Sequence, residues 1–315
     1  MIGYKAFKKG MVATPTESVN FQYKVGCIYE ESEANVGKNG FHFCKTPLDV
    51  FKYYSFVDSQ GDLCEFAKVE SIDDAVTTDG VTFAAKRLKI NSKISFDDLL
   101  KDSMNLDTVD VGNVEIISAN GASTALHKNN MRMCLNGDDA KINISGHGCL
   151  TGACSNRAKI GIVGDVTQIR LEGCGSRIGT IGCDTRLSLS GYGARIGSSG
   201  YKLRIGSDGD NIRVGSSGND AVINTKGYGA LVSTCGDHSR INCSGENSII
   251  SCVGVGSVAK SSKGSWITLA EWKYSADKQC NIPVCVKTEY VDGERIKADT
   301  YYELKNGDFT EVEIF

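Results

Sequence analysis

Between Met131 and Ser265 the apolar residues recur every nine positions, through fifteen nonapeptides without a gap. The third position is Ile in nine of them, and Met133, Thr151, Leu187, Val214, Val232 and Ala259 fill the rest. The first and fifth positions are small or apolar. Positions one, three and five then alternate with two and four, which is the two-residue period of a strand. An Ile every nine residues makes no stripe on a helix of 3.6-residue period. The seventh position is Gly in all repeats but two, where Ser155 and Lys263 stand. We expect the chain to turn there, because Gly accepts a positive φ.

One nonapeptide is thus a short strand and a corner, and it cannot bury its own face. It must stack on its copies. Two nonapeptides per coil give a two-sided β-solenoid of 18 residues per coil; three per coil is the alternative. At two per coil, about seven coils spaced about 4.8 Å apart make a rod on the order of 35 Å long.

The flanks carry other patterns. Residues 1–108 hold most of the aromatics and read as a small α+β domain. YKAF, FQYKV and LCEFAKVE are strand-like, and FAAKRLKI and SFDDLLKD follow them. PLDVFKYYSF reads as a helix with Pro47 at its first position. Residues 109–130 read as an N-terminal cap of the solenoid, 131–265 as the solenoid, and 266–315 as a C-terminal β-meander cap. In the last of these, Asp292-Gly293 and Asn306-Gly307 are hairpin turn signals. The fold class is mainly β.

Composition narrows the setting. The 315 residues include 36 Gly and only 3 Pro, which argues for regular tight turns rather than disorder. No apolar run is long enough to span a membrane, and MIGYKAFKKG is no secretory signal. The 13 cysteines are therefore expected as reduced thiols in a cytoplasmic protein.

Charge is segregated. Residues 131–265 hold 15 basic and 10 acidic side chains, so the remainder must be strongly acidic for the chain to reach its net charge of −3. The second position faces outward and is often basic. With two repeats per coil, one face stacks Lys141, Lys159, Arg177, Arg195 and Arg213, and the other carries Gln168, Arg186 and Arg204. Such a stripe suits an anionic ligand, either a nucleic acid or nucleotide or an acidic protein surface. Solvated arginines duplicated with their repeat are the plainer reading, with Asp165, Glu172 and Asp208 as local neutralisers. Tyr192, Tyr201 and Tyr228 fall at corners, where they would stack bases or simply pack. Cys243 and Cys252 fall at inward fifth positions; His147 and His238 fall at corners.

The segments YKAF, NGFHFCKTPLDVFKYYSF, CEFAKVE, GSWITLAEW and VDGERIKADTYYELKNG, with the nonapeptide array between them, resemble an uncharacterised family of phage and bacterial proteins. That resemblance implies a phage or prophage origin. Gly40 to Tyr54 is also similar to the central motif of ADP-ribosyltransferases, which implies an NAD pocket around His42, Phe43, Tyr54 and Glu65. YKAF lacks the His-Gly or Arg of that family's first motif, and FAAKRLKI stands where its catalytic Glu belongs. His42, Cys44, Cys27 and Cys64 contain no CxxC pair, so neither a zinc site nor a Cys-His nucleophile is the expectation.

The residues together point to a non-enzymatic binding or scaffold protein without a cofactor. It would present the basic ladder to an anionic ligand or an acidic host protein, and so interfere with a host factor. A divergent ADP-ribosyltransferase using NAD is one alternative. A virion or tail component that forms a homo-oligomer through the solenoid is another.

Overall fold

The computed structural model describes residues 1–16, 19–54, 64–104 and 114–314. They form two compact units, one within residues 1–112 and one running from 113 to the C-terminus. The expected boundary at 108/109 lies outside the described residues, as does the end of the expected first helix, Ser55 and Phe56. Among the described residues no helix is long and apolar enough to cross a membrane.

The N-terminal unit is a seven-stranded antiparallel sheet with a hairpin beside it. Its strands are β1 (Ile2–Phe7), β2 (Val12–Thr16), β3 (Val19–Gln22), β4 (Ile28–Glu30), β5 (Phe41–Cys44), β6 (Glu65–Ser71), β7 (Val76–Thr77), β8 (Thr82–Ala85) and β9 (Arg87–Ile94). The order is β4-β9-β6-β1-β5-β8-β7, and β2 pairs with β3 alone. Tilted and edge-on rings of Phe7, Phe21, Tyr23, Tyr29 and Phe41 fill one core. SFDDLLKD begins helix α1 (Phe96–Met104). Ser95 caps it: the Asp98 N–H donates to Ser95 Oγ at 3.0 Å, and Ser95 Oγ donates back to Asp98 Oδ2 at 2.7 Å.

The segment after Thr46 differs from the expected α-helix. Pro47–Lys52 is a single 3-10 stretch. Its three-residue turn puts the buried Leu48 and Phe51 on one side.

The second unit is the two-sided solenoid. Two parallel sheets carry one strand each per coil, and every partner lies 18 residues away: Lys141 pairs with Lys159, then Arg177, Arg195 and Arg213, with no register shift. The opposite sheet pairs Gln168 with Arg186 and Arg204. Residues at positions one, three and five are buried along the whole array and make one continuous core.

The array is longer than its clear repeats. Val114–Ile117 and Ser123–His127 pair in register with the strands above them, so the stretch expected as a cap is already solenoid. At the other end Ile249 pairs with Trp266, and Ile267 and Leu269 are buried. Each sheet therefore stacks nine parallel strands. The last repeat is one residue short, because the turn at Lys263-Gly264 closes with Gly264 at φ +88°. That is why its seventh position departs from Gly.

The corner works otherwise than its glycines suggest. The left-handed residue is the ninth, and it is often not Gly: Asp139, Arg157, Asp184, Lys202, Asn211 and His238 all have φ between 52° and 60°. The seventh-position Gly is there for lack of space, and at Gly164, Gly173, Gly182 and Gly191 it also takes the expected positive φ, between 109° and 154°. A Cβ on Gly227 would land on the carbonyl of Gly209, one coil below, and Gly218, Gly236 and Gly245 repeat the collision. The eighth position supplies a side-chain ladder. Asp138 accepts the Asn156 N–H at 2.9 Å, Asp165 that of Cys183 at 2.7 Å, and Asp237 that of Val255 at 2.8 Å. These bonds satisfy corner amides that no strand can reach.

The C-terminal chain closes the stack. Trp266–Ser275 pairs antiparallel with Cys280–Tyr290, and Tyr302–Lys305 pairs with Asp308–Glu311 around Asn306-Gly307. Val291, Ile296, Tyr302 and Leu304 join the solenoid core. Asp292-Gly293 is not a hairpin turn. It starts the crossing from one sheet to the other, and the Asp292 carboxylate accepts the Glu294 and Ile296 amides at 2.8 and 3.0 Å.

Two stability outcomes follow. Gly227→Ala is expected to destabilise the repeat unit by about 2 kcal/mol or more through overpacking, whereas Gly179→Ala, with nothing near its Cβ, is expected to be neutral or stabilising; chemical denaturation of both variants compares them. Val166, a β-branched residue held at φ 56°, is expected to gain about 1 kcal/mol as Val166→Asn, read as a raised denaturation midpoint.

Candidate functional site

Parallel pairing at constant register turns each outward position into a column. On the sheet that runs from Ser123 to Trp266, the second position stacks Lys141, Lys159, Arg177, Arg195 and Arg213, all exposed. Neighbours in this column lie about 4.8 Å apart. Among the described residues none of the five forms an ion pair. The expected neutralisers are engaged elsewhere: Asp165 with His147 at 3.4 Å, Glu172 with Arg170 at 3.0 Å, and Asp208 with Lys226 at 3.2 Å. Beyond Arg213 the column turns apolar, with exposed Leu231, Ile249 and Trp266.

Arg186 and Arg204 stand on the opposite sheet and are half-buried. Arg170 shares that side and is held against Glu172. The seven basic residues of the ladder are thus two sets, and the exposed set is the column of five.

Beside that column the fourth position is a row of glycines: Gly161, Gly179, Gly197 and Gly215. None has a left-handed φ. A Cβ on Gly179, Gly197 or Gly215 would meet nothing within 4 Å. Neither the backbone nor the packing of the fold requires these three, unlike the glycines at the corners; at Gly161 a Cβ would meet Asn143 Oδ1 at 2.7 Å. On the far side of the row the sixth position presents Val163 and Ile181, each more than half exposed. The result is a trough of about 810 Å³ along the sheet, with a bare backbone floor and Val163 and Ile181 along its rim; the column of cations stands on the other side of the floor. Sequence reasoning singles out the cations and sees in the fourth-position glycines only the lack of a side-chain partner for them, not a floor. The signal was there, in a Gly that alternates with Ile inside a strand.

Tyr192, Tyr201 and Tyr228 are exposed corner residues. The Lys202 ammonium lies 4.9 Å from the Tyr201 ring centroid. Tyr192 and Tyr228 each stand three residues before a member of the second-position column, Arg195 and Leu231.

The N-terminal residues divide. His42, Phe43 and Tyr54 line one cavity. Glu65 is not among the residues around it. Its carboxylate accepts the Lys93 ammonium and the Met11 amide, both at 2.8 Å. Those bonds hold its pKa below the usual range against the opposing effect of burial. His42 Nε2 accepts the Gly37 N–H at 2.9 Å, and burial together with the Lys5 charge lowers its pKa. Its imidazole is therefore a neutral acceptor that pins a loop.

All 13 cysteines are free thiols. Burial pushes the Cys243 and Cys252 thiols up to about 12, so they act as small core residues. Among the described residues no His, Cys, Asp and Glu side chains gather as a metal site.

Comparison with curated proteins and with solved structures finds no match to the chain. Residues 1–102 match a family model described as a domain of unknown function, DUF7666, and the N-terminal unit is an uncharacterised domain of that kind.

Proposed function

We propose that the repeat unit is a binding module for an extended polyanion, a single-stranded nucleic acid above all, laid along the trough. The carrying observation is the pairing of five exposed cations without ion pairs with a glycine floor that the fold does not need at Gly179, Gly197 and Gly215. Both features work against the free protein. Adjacent like charges about 4.8 Å apart repel by about 1 kcal/mol per pair even in water. Each mid-strand Gly costs about 0.5–1 kcal/mol relative to Ala. A linear anion removes the first cost and uses the second, because a bare backbone lets sugars or bases approach closely. Val163 and Ile181 offer apolar contact along the other edge.

On this reading the protein binds rather than catalyses. The ADP-ribosyltransferase alternative lacks support at Glu65, whose carboxylate is committed to Lys93 and Met11. A phage or prophage origin, with interference in a host process, belongs to this reading as its biological setting.

Fluorescence polarisation with labelled oligothymidine tests the proposal. Five phosphate contacts predict a log–log salt slope of about −3.5, so affinity falls about a hundredfold between 50 and 200 mM salt. Arg177→Glu with Arg195→Glu is expected to abolish binding. Gly197→Val is expected to weaken it while leaving the denaturation midpoint level or higher. Salt-independent binding, or binding that survives the double charge reversal, would sink the reading. Binding to polyglutamate in preference to the oligonucleotide would assign the trough to an acidic protein instead.

A further inference from the structure

A second site lies inside the N-terminal unit, and it is independent of the solenoid. A cavity of about 490 Å³ is bounded by β1, β5, the 3-10 stretch and the loop before β5. Tyr23, Phe43, Tyr53 and Tyr54 give it aromatic walls, and Lys5 reaches into it. The size suits a small molecule of one or two rings.

Lys5 is out of place. It shares a strand face with Gly3 and Phe7, so it occupies a core position, and it is only 8% exposed. Its Nζ donates to the His42 carbonyl oxygen at 2.6 Å. The same ammonium lies 5.8 Å from the Phe7 ring centroid and 5.5 Å from that of Tyr23. Among the described residues no carboxylate pairs with it. An ammonium has three donors, and these contacts use one. A buried charge without a counter-ion is among the most costly arrangements a core can hold. An apolar side chain at this place would pack among the rings at no such cost.

Among the described residues none of the groups that face Lys5 is a carboxylate. His42 is kept neutral by burial and by Lys5 itself. Cys44, a buried cysteine on β5, acts on Lys5 by charge and raises its pKa, but the opposing effect of burial is larger. Tyr23 has its pKa raised by burial, as has Tyr54, so both remain neutral phenols. Tyr53 shares its hydroxyl with Thr82. Tyr4 donates to Asp102 at 3.1 Å, on the side of α1. Glu31 and Lys38 stand at the exposed rim, where Glu31 accepts the Gly40 N–H at 3.2 Å.

We propose that this cavity binds a small planar monocarboxylate, an aromatic acid whose carboxylate pairs with Lys5 and whose ring lies among Tyr23, Phe43 and Tyr54. A single negative charge balances a single buried ammonium, and two carboxylate oxygens match its two remaining donors. A phosphate dianion would carry a surplus charge into an aromatic cavity. A neutral ring would leave the ammonium as it is.

The pH dependence gives the proposal a signature. Burial lowers the Lys5 pKa to about 8 from its ordinary 10.5. The protonated form binds the carboxylate, so affinity is full below about 8 and is lost as pH rises through it. In the free protein the folded state holds the proton less tightly than the unfolded chain. Stability relative to a Lys5→Met variant therefore rises as pH goes from about 8 to 10.5.

Isothermal titration calorimetry of the full chain with 2-naphthoate and its neutral isostere 2-naphthamide tests this. We expect the carboxylate to bind at least tenfold more tightly than the amide at pH 7, with the preference gone at pH 9.5. We expect Lys5→Met to erase the preference at pH 7 and to raise the melting temperature of the free protein. Equal affinity for acid and amide in the wild-type chain, or no binding of either, overturns the proposal without any variant. So does a preference that persists in Lys5→Met. None of these outcomes touches the polyanion trough, which the naphthoate probe does not address.

Discussion

Coil-on-coil hydrogen bonding at a constant 18-residue offset is the constraint on which the repeat unit rests. Each strand is hydrogen-bonded to the same positions of the coils above and below, and the corner amides are bonded in the same direction by the eighth-position side chains. Slipping one coil by one residue would move its Ile to solvent and its cation to the core. The register is therefore held along the entire stack. Whatever one residue type brings to a repeat is multiplied into a column: apolar core, amide ladder, cation stripe and glycine floor.

That multiplication explains why two sets of glycines with the same spacing have different meanings. The seventh-position glycines are demanded by the neighbouring coil, whose carbonyl occupies the place of a Cβ. On the cationic face Gly179, Gly197 and Gly215 are demanded by nothing in the chain, and they sit beside the charges that gain most from a partner. The fold tolerates both because its core is long and continuous, and a few unfavourable contacts on one face are spread over nine coils.

The N-terminal unit follows another logic. It has an antiparallel sheet whose strands are out of chain order, an aromatic core and a buried lysine at a position where alternation calls for an apolar residue. Its match to a domain of unknown function leaves its chemistry to be read from the cavity. There the residues singled out in advance, His42, Phe43 and Tyr54, are brought together, and Glu65 is drawn off by Lys93. Lys5 went unremarked because a lysine in a strand reads as solvated until its neighbours are known.

Sequence alone determined the solenoid and the outward place of its cations, because a nine-residue period with inward Ile admits few ways of burying its face; pairing at an 18-residue offset decided for two sides over three and so set the column. It also determined the Asn306-Gly307 turn. Tertiary structure decided the rest. The outer coils before Met131 and after Ser265 lack a clean Ile-Gly pattern, and only their pairing shows that they belong. The function of the seventh-position Gly depends on an atom 18 residues away, which no local rule contains. The same holds for the 3-10 stretch, for the crossing at Asp292 and for the burial of the Lys5 ammonium without a carboxylate. Each depends on what long-range packing places beside it, and local preference is silent about that.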